Sequence, residues 1–346
     1  MERTVERLLG ELLEQDVRII GRTELGNSEL APVARLTLDR EYDGIGRTVI
    51  AKSRRPIGGE WGALANEQLA LEHLRASGLA PRFLTGVPDQ LVVMTDLGAG
   101  PTVQDLLFGN DPQAATNGLL AMAKLAGKLH GATNPSFAAA HQGTFLDRAL
   151  DNWPGIVTAA ADFGCPPPDD VELTELARDL RELTAFTHGD FTPNNVVLVD
   201  GEARLVDFEG AGRRHPGLDA ACLRLPFPQY GHWAVLPPAV IDEMDDAYRE
   251  TLSGCDYTRL IATGCATWAI IRLARLPLIA STQTPADALR RRTQIVQTIT
   301  SAAASSPTYP TLSAWFETLA DAMRHRWDEA RQPPRTFQAF KDFSNQ

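Results

Sequence analysis

The sequence predicts an α+β protein of two lobes: a small antiparallel sheet carrying one inserted helix, then a larger and mostly helical lobe. Three observations lead there. Five short runs with strand character fall within the first 95 residues, and one helix-length stretch interrupts them after the third. Beyond Gly98 and Gly100-Pro101, a break with hinge character, nearly every long segment has helical periodicity. A chain of 346 residues suits two such units, which we place at 1–97 and 98–346.

Taken in order, residues 2–15 read as an amphipathic helix, with Val5, Leu8, Leu9, Leu12 and Leu13 on one face. Strands are expected at Val17–Ile20, Val33–Leu38 and Thr48–Lys52, the last two joined through the tight-turn dipeptide Asp43-Gly44. Gly58-Gly59 precedes a helical stretch, 60–76. Gly78 and Pro81 then introduce two further strands, 82–84 and 90–95. In the second lobe, helices are expected at 103–108, 112–130, 171–183, 238–252, 257–280, 284–303 and 312–330. Between them a strand–turn–strand covers 196–199 and 203–206 with Asp200-Gly201 at its tip, and Cys165-Pro166-Pro167-Pro168 reads as a rigid linker.

Composition narrows the function class. The net charge of −11 resides wholly in residues 1–215, which hold 20 Lys+Arg against 31 Asp+Glu. An acidic chain with no basic stripe is a poor match for nucleic acid or an anionic membrane, so neither is expected as a partner. The four cysteines stand far apart with no Cys-x-x-Cys pair, and the N-terminus lacks a basic-then-apolar leader; a soluble cytoplasmic protein is expected. Only four Lys stand against 29 Arg, so each Lys, a compact point charge suited to phosphate, is worth locating.

One segment carries chemistry. His188-Gly189-Asp190 is followed five residues after the Asp by Asn195, then by a hairpin, then by Asp207-Phe208-Glu209. The loop presents one carboxylate beside an amide, and the hairpin returns a second carboxylate to the same end. Such oxygens suit Mg²⁺, which keeps several waters and substrate phosphates, while a remaining carboxylate can take a proton from an attacking hydroxyl. The plainer alternative is a polar loop with incidental acids.

These motifs resemble the protein-kinase-like phosphotransferases, specifically the aminoglycoside phosphotransferase and choline-kinase family. The resemblance implies a protein-kinase-like bilobal fold, Asp190 as catalytic base, Asn195 and Asp207 as Mg²⁺ ligands and Glu209 as an aid to metal or phosphate. It also implies a Lys on the third strand and a Glu on the next helix. Lys52, in Val49-Ile50-Ala51-Lys52, and Glu67 fill these positions, with Glu60 and Glu72 as rivals to Glu67. The glycine-rich loop is reduced to Gly26-Asn27-Ser28, where Asn27 and Ser28 cap phosphates or simply form a hairpin turn. In Val92-Val93-Met94-Thr95-Asp96-Leu97-Gly98 the backbone from Thr95 to Leu97 would meet the adenine edge, with Met94 lining the back of the pocket. His188 and Asp219 are expected to shape and anchor the catalytic loop, and His130, ending Lys128-Leu129-His130, matches a structural helix end of the family. Thr192, Asn194 and Phe208 depart from the family's usual residues and leave the base and metal ligands intact.

The implied activity is transfer of the γ-phosphate of ATP, with GTP as the alternative donor, to a hydroxyl of a small molecule such as an antibiotic or other alcohol, with Mg²⁺. A Ser/Thr kinase acting on a peptide and a nucleotide-binding scaffold without turnover remain as alternatives. The acids Asp242, Glu243, Asp245, Asp246 and Glu250 are either a surface for an amine-rich acceptor or an exposed helix start.

Overall fold

Strand alternation decides which way the chemistry points. The computed structural model describes residues 1–25, 32–54, 64–131, 150–168, 170–225, 234–252, 254–332 and 335–345. Its first lobe comprises α1 (Glu2–Leu13), β1 (Ile19–Glu24), β2 (Val33–Tyr42), β3 (Gly46–Ser53), α2 (Leu64–His73), β4 (Phe83–Val87) and β5 (Leu91–Thr95). The five strands form one antiparallel sheet in the order β1-β2-β3-β5-β4. Successive strand residues face opposite sides. Val49 and Ala51 of β3 join Leu91 and Val93 of β5, Leu36 and Leu38 of β2, and Val5 and Leu9 of α1 in one apolar cluster. Ile50, Val92 and Met94 belong instead to the larger core that runs into the second lobe. Lys52 shares that second face, 6% exposed.

The second lobe holds α3 (Val103–Phe108), α4 (Pro112–Gly131), α5 (Trp153–Ala161), α6 (Val171–Glu182), β6 (Ala185–Thr187), β7 (Val196–Val199), β8 (Glu202–Leu205), β9 (Gly212–Arg214) and α7 (Gly217–Ala220). It continues through α8 (Pro238–Arg249), α9 (Tyr257–Leu273), α10 (Leu276–Ala280), α11 (Pro285–Ser305) and α12 (Pro310–Arg326). The entry to α3 is fixed by a capping box in which the Thr102 hydroxyl accepts from the Asp105 amide and the Asp105 carboxylate accepts from the Thr102 amide. The hairpin β7–β8 turns at Asp200-Gly201, both in the left-handed region, as a two-residue turn requires. Among the described helices none is long and apolar enough to cross a membrane.

Several boundaries differ from expectation for physical reasons. The first strand lies at Ile19–Glu24 rather than at 17–20, because β2 is ten residues long and pairs Ala34–Leu38 with β1 through the polar stretch Arg22-Thr23-Glu24. A sheet edge needs a partner more than an apolar run. The helix expected over 257–280 is broken after Leu273, since Pro277 has no N–H to continue the ladder and begins a new turn. The helix α5, which starts on Trp153-Pro154, and the short pair β6–β9 were not anticipated.

Candidate active site

Because Lys52 leaves β3 on the face opposite α1, its ammonium reaches the second lobe. Its Nζ lies 2.9 Å from Glu67 Oε2 on α2, 2.5 Å from Asp207 Oδ1 and 2.7 Å from Glu209 Oε1. Burial works against a charged ammonium, yet Glu67, Asp207 and Glu209 together hold Lys52 above its ordinary value. Burial would likewise raise Asp207, but the Lys52 ammonium outweighs it and keeps that carboxyl below the usual range. Glu67, 1% exposed, is pushed up by burial in spite of Lys52. Its other oxygen, Oε1, accepts the Phe208 amide at 3.3 Å, so α2 is tied to the Asp207 loop. The rival Glu72 accepts a bond from Gln68 on the exposed side of α2, and Glu60 lies outside the described residues.

The loop carrying Asp190 is built around a buried carboxylate. Asp219 accepts the His188 amide at 2.5 Å through Oδ2 and the Gly189 amide at 3.1 Å through Oδ1. His130 faces the same carboxylate at 3.4 Å, and its other ring nitrogen meets the Tyr248 hydroxyl at 2.7 Å. Asp219 in turn is placed by backbone contact. A β-carbon on Gly264 of α9 would come 1.8 Å from the Gly217 carbonyl oxygen, so only glycine lets α9 approach α7 this closely. Both nitrogens of His188 are engaged, Nε2 donating to the Val206 carbonyl at 2.9 Å and Nδ1 accepting the Asp190 amide at 3.3 Å. The ring is a brace for the loop.

Asp190 stands at the exposed mouth of a cleft, where partial desolvation and then Asp207 and Asp219 push its carboxyl up, against the pull of His188 and Asn195. Asn195 donates from Nδ2 to the Asp190 carbonyl at 2.9 Å and carboxylate at 3.0 Å, while its Oδ1 accepts from Asn194 at 2.9 Å. The three ligands expected for a metal are thus divided: Asp207 and Glu209 gather at Lys52, and Asn195 orients Asp190. Oxygens of Glu67, Asp207 and Glu209 lie within 4.8 Å of one another. Three carboxylates around a single ammonium leave excess negative charge in a set of hard oxygen donors, which fits Mg²⁺.

Met94 is buried in the core behind the sheet, and Leu97 is half-buried in the linker. Thr95 has its amide bonded to the Arg82 carbonyl and its hydroxyl to the Arg82 amide, which uses both within the sheet edge. Asn27 and Ser28 lie outside the described residues. Two contributors went unnoticed in the sequence. Asn66, 1% exposed, donates to the Glu209 carbonyl at 2.9 Å and the Ala211 carbonyl at 2.7 Å. Arg35 grips Asp96 through two bonds, at 2.5 and 3.0 Å, and reaches the Gly98 carbonyl at 2.8 Å, bracing the linker. The neighbour of Glu67 in an Asn-Glu pair is a signal for the first; nothing local marks the second.

The cleft has a volume of about 310 Å³, and its lining includes Gly189, Asp190, Phe191 and Thr192 together with Trp268, Arg272 and Thr298. The acids of α8 are not in its wall. Asp245 is buried against Arg224 and Tyr257, Asp246 pairs with Arg249 at 3.7 Å, and Glu250 with Lys124 at 3.2 Å.

This architecture is similar to a choline/ethanolamine kinase family protein from Mesorhizobium loti, with a TM-score of 0.53, 14% identity, and 88% of this chain and 92% of that chain covered. A choline kinase from Streptococcus pneumoniae matches with a TM-score of 0.49, 15% identity, and 86% and 98% covered. An aminoglycoside phosphotransferase in ternary complex with AMP-PNP and hygromycin B matches at 0.47, with 15% identity and 93% and 98% covered. The first of these likenesses shows the kinase-like fold. No curated protein matches the sequence. Residues 34–259 match the model of the phosphotransferase enzyme family, a span that contains Lys52, Glu67, Asp190, Asn195, Asp207 and Asp219. The chain belongs to the phosphotransferase enzyme family.

Proposed function

We propose that the protein transfers the γ-phosphoryl group of ATP to a hydroxyl of a small molecule, with Asp190 as general base. The observation that carries this reading is the meeting of Lys52 from one lobe with Asp207 and Glu209 from the other, beside a carboxylate that opens onto a cleft. Lys52, held by Glu67, would bind the donor phosphates; residues 1–97 would clamp the nucleotide and residues 98–346 the acceptor. Asp207, with Glu209 and Asn195 nearby, would hold Mg²⁺, whose contribution when bound is to neutralise phosphate charge. The acceptor oxygen attacks the γ-phosphorus while Asp190 takes its proton. The bond from that phosphorus to the β,γ-bridging oxygen breaks, and ADP leaves with the electron pair. Most of the rate enhancement comes from positioning and electrostatics. A cleft of about 310 Å³ supports a small molecule as the acceptor.

The test is nucleotide consumption with Mg²⁺ and ATP or GTP against a panel of aminoglycosides, other hydroxylated antibiotics, amino alcohols, hydroxy acids and Ser/Thr peptides. Asp190→Asn and Asp207→Asn are expected to lose nearly all acceptor-dependent turnover. Retention of most of the rate by Asp190→Asn on a phosphorylated acceptor would remove the base assignment.

A further inference from the structure

We infer that Asn66 of α2 is a positioning residue for phosphoryl transfer: it grips the turn after Asp207 and, through that turn, sets Asp207, Glu209 and the loop that carries Asp190. This rests on the phosphotransferase reading and assigns a further residue to the same site. Asp207 is held at φ +69°, in the left-handed region, although it carries a side chain. A residue keeps that conformation where its surroundings impose it. Before Asp207, the Val206 amide donates to the Asn195 carbonyl at 3.0 Å, and the Val206 carbonyl accepts from His188 at 2.9 Å. After it, α2 takes hold. Glu67 accepts the Phe208 amide at 3.3 Å, and Asn66 donates from Nδ2 to the Glu209 and Ala211 carbonyls at 2.9 and 2.7 Å.

Packing alone is a poor account of Asn66. It is 1% exposed, and its Oδ1 meets no donor among the described residues. A buried acceptor left alone works against folding, so what the position gains lies in the two bonds that Nδ2 donates. Those bonds act beyond the turn on which they end. The carbonyl between them, that of Gly210, accepts from Arg214 Nη1 at 2.7 Å. The same carbonyl lies against Gly189, where a β-carbon would come 2.0 Å from its oxygen. The turn therefore touches both α2 and the Asp190 loop, and a shift of the turn displaces Asp207, Glu209 and Asp190 together. Glu67, the next residue, lies 2.9 Å from the Lys52 ammonium. Two consecutive residues of α2 thus divide the task, Glu67 placing the ammonium and Asn66 the acids that face it.

The experiment compares the full chain with Asn66→Ala, with Asn66→Ser, which restores one donor, and with Val5→Ala, which loosens packing on the opposite face of the sheet. Mg²⁺ is titrated against melting temperature in the presence of AMP-PNP, and nucleotide consumption is followed with ATP and the acceptor panel above. Asn66→Ala is expected to need about tenfold more Mg²⁺ for the half-maximal shift in melting temperature. It is also expected to lose about tenfold or more in kcat, with the acceptor KM within about twofold of wild type. Asn66→Ser should recover part of both losses, and Val5→Ala should melt earlier with kcat and the Mg²⁺ midpoint unchanged. If both Asn66 variants match Val5→Ala in kcat and Mg²⁺ midpoint, Asn66 is a structural residue only, and the inference falls while the phosphotransferase reading stands. If the wild type consumes no nucleotide on any acceptor, that reading fails and the Mg²⁺ midpoint alone decides the inference: a shift upholds it and no shift sinks it. Should Asn66→Ala not fold, Asn66→Ser carries the same comparison.

Discussion

Asp219 holds the amide of His188 at 2.5 Å, so a buried side chain on α7 sets the backbone of the loop that presents Asp190. A carboxylate can accept from both the His188 and Gly189 amides, whereas a neutral amide turns an N–H toward one of them. Asp219→Asn is therefore expected to cost about 2–3 kcal/mol of stability. It is also expected to lower kcat about tenfold or more through misplacement of Asp190. Urea unfolding and steady-state kinetics read the two effects, and wild-type values in both would refute the anchoring role.

Removing the Lys52 ammonium leaves Glu67, Asp207 and Glu209 facing one another. Buried Glu67, and Asp207 once its ammonium partner is gone, then favour their protonated forms in the folded state, so their folded pKa values rise above the unfolded ones and stability drops as pH rises through them. Lys52→Met should accordingly melt at a lower temperature at pH 8 than at pH 5.5, relative to wild type at the same two values. Millimolar Mg²⁺ should raise its melting temperature more than that of the wild type. A pH-independent difference, with no Mg²⁺ effect, would show that the three acids do not interact as the distances require.

Gly189 sits at φ +83°, and a β-carbon there would lie 2.0 Å from the Gly210 carbonyl oxygen. Both the backbone conformation and the contact oppose any side chain. Gly189→Ala should cost more than about 2 kcal/mol and abolish turnover, since relief of the clash moves the Asp190 loop off the Asp207 loop. Denaturant midpoints check the first part, and a midpoint within error of wild type would be the contrary result.

His215 is 3% exposed, and its Nδ1 accepts the Gly217 amide at 3.1 Å. Burial, then the nearby His130, lower its pKa to about 4. The unfolded chain takes up a proton near pH 6.5 that the folded chain refuses until about pH 4. Stability is thus lost as pH falls through that window, by at most about 3 kcal/mol for this group. His215→Asn, which keeps an acceptor for Gly217, should be less stable at pH 7 but show a shallower decline between pH 6.5 and 4.5. Parallel declines in urea midpoint would exclude His215 as the source.

Much of the fold and the cluster was legible because it depends on local signals. The Asp190–Asn195 loop, the hairpin at Asp200-Gly201 and the Asp207–Glu209 turn lie within 20 residues, and a period of two in Val49-Ile50-Ala51-Lys52 already separates the lysine from the core face. What stayed hidden depends on long-range pairing. β1 extends through a polar stretch because β2 is long, and β6 and β9 exist only as each other's partner. The cleft wall is similar: Trp268 and Arg272 read as ordinary helix residues until α9 is laid against α7. The acids between 242 and 250 looked like a patch, but Asp245 is held by Arg224 and Glu250 by Lys124, cations distant in sequence, and Asp246 by Arg249 one turn on.

The alternation along β3 also makes the active site a safeguard on folding. Shifting β3 by one residue against β2 and β5 would turn Lys52 toward Leu36, Val93 and α1, and would expel Val49 and Ala51 from that cluster. An ammonium sealed there without a carboxylate costs several kcal/mol, far more than a hydrophobic residue would lose by the same slip. The lysine therefore penalises every slip of β3 by an odd number of residues, and a chain that passes that check has already aimed its ammonium between the lobes.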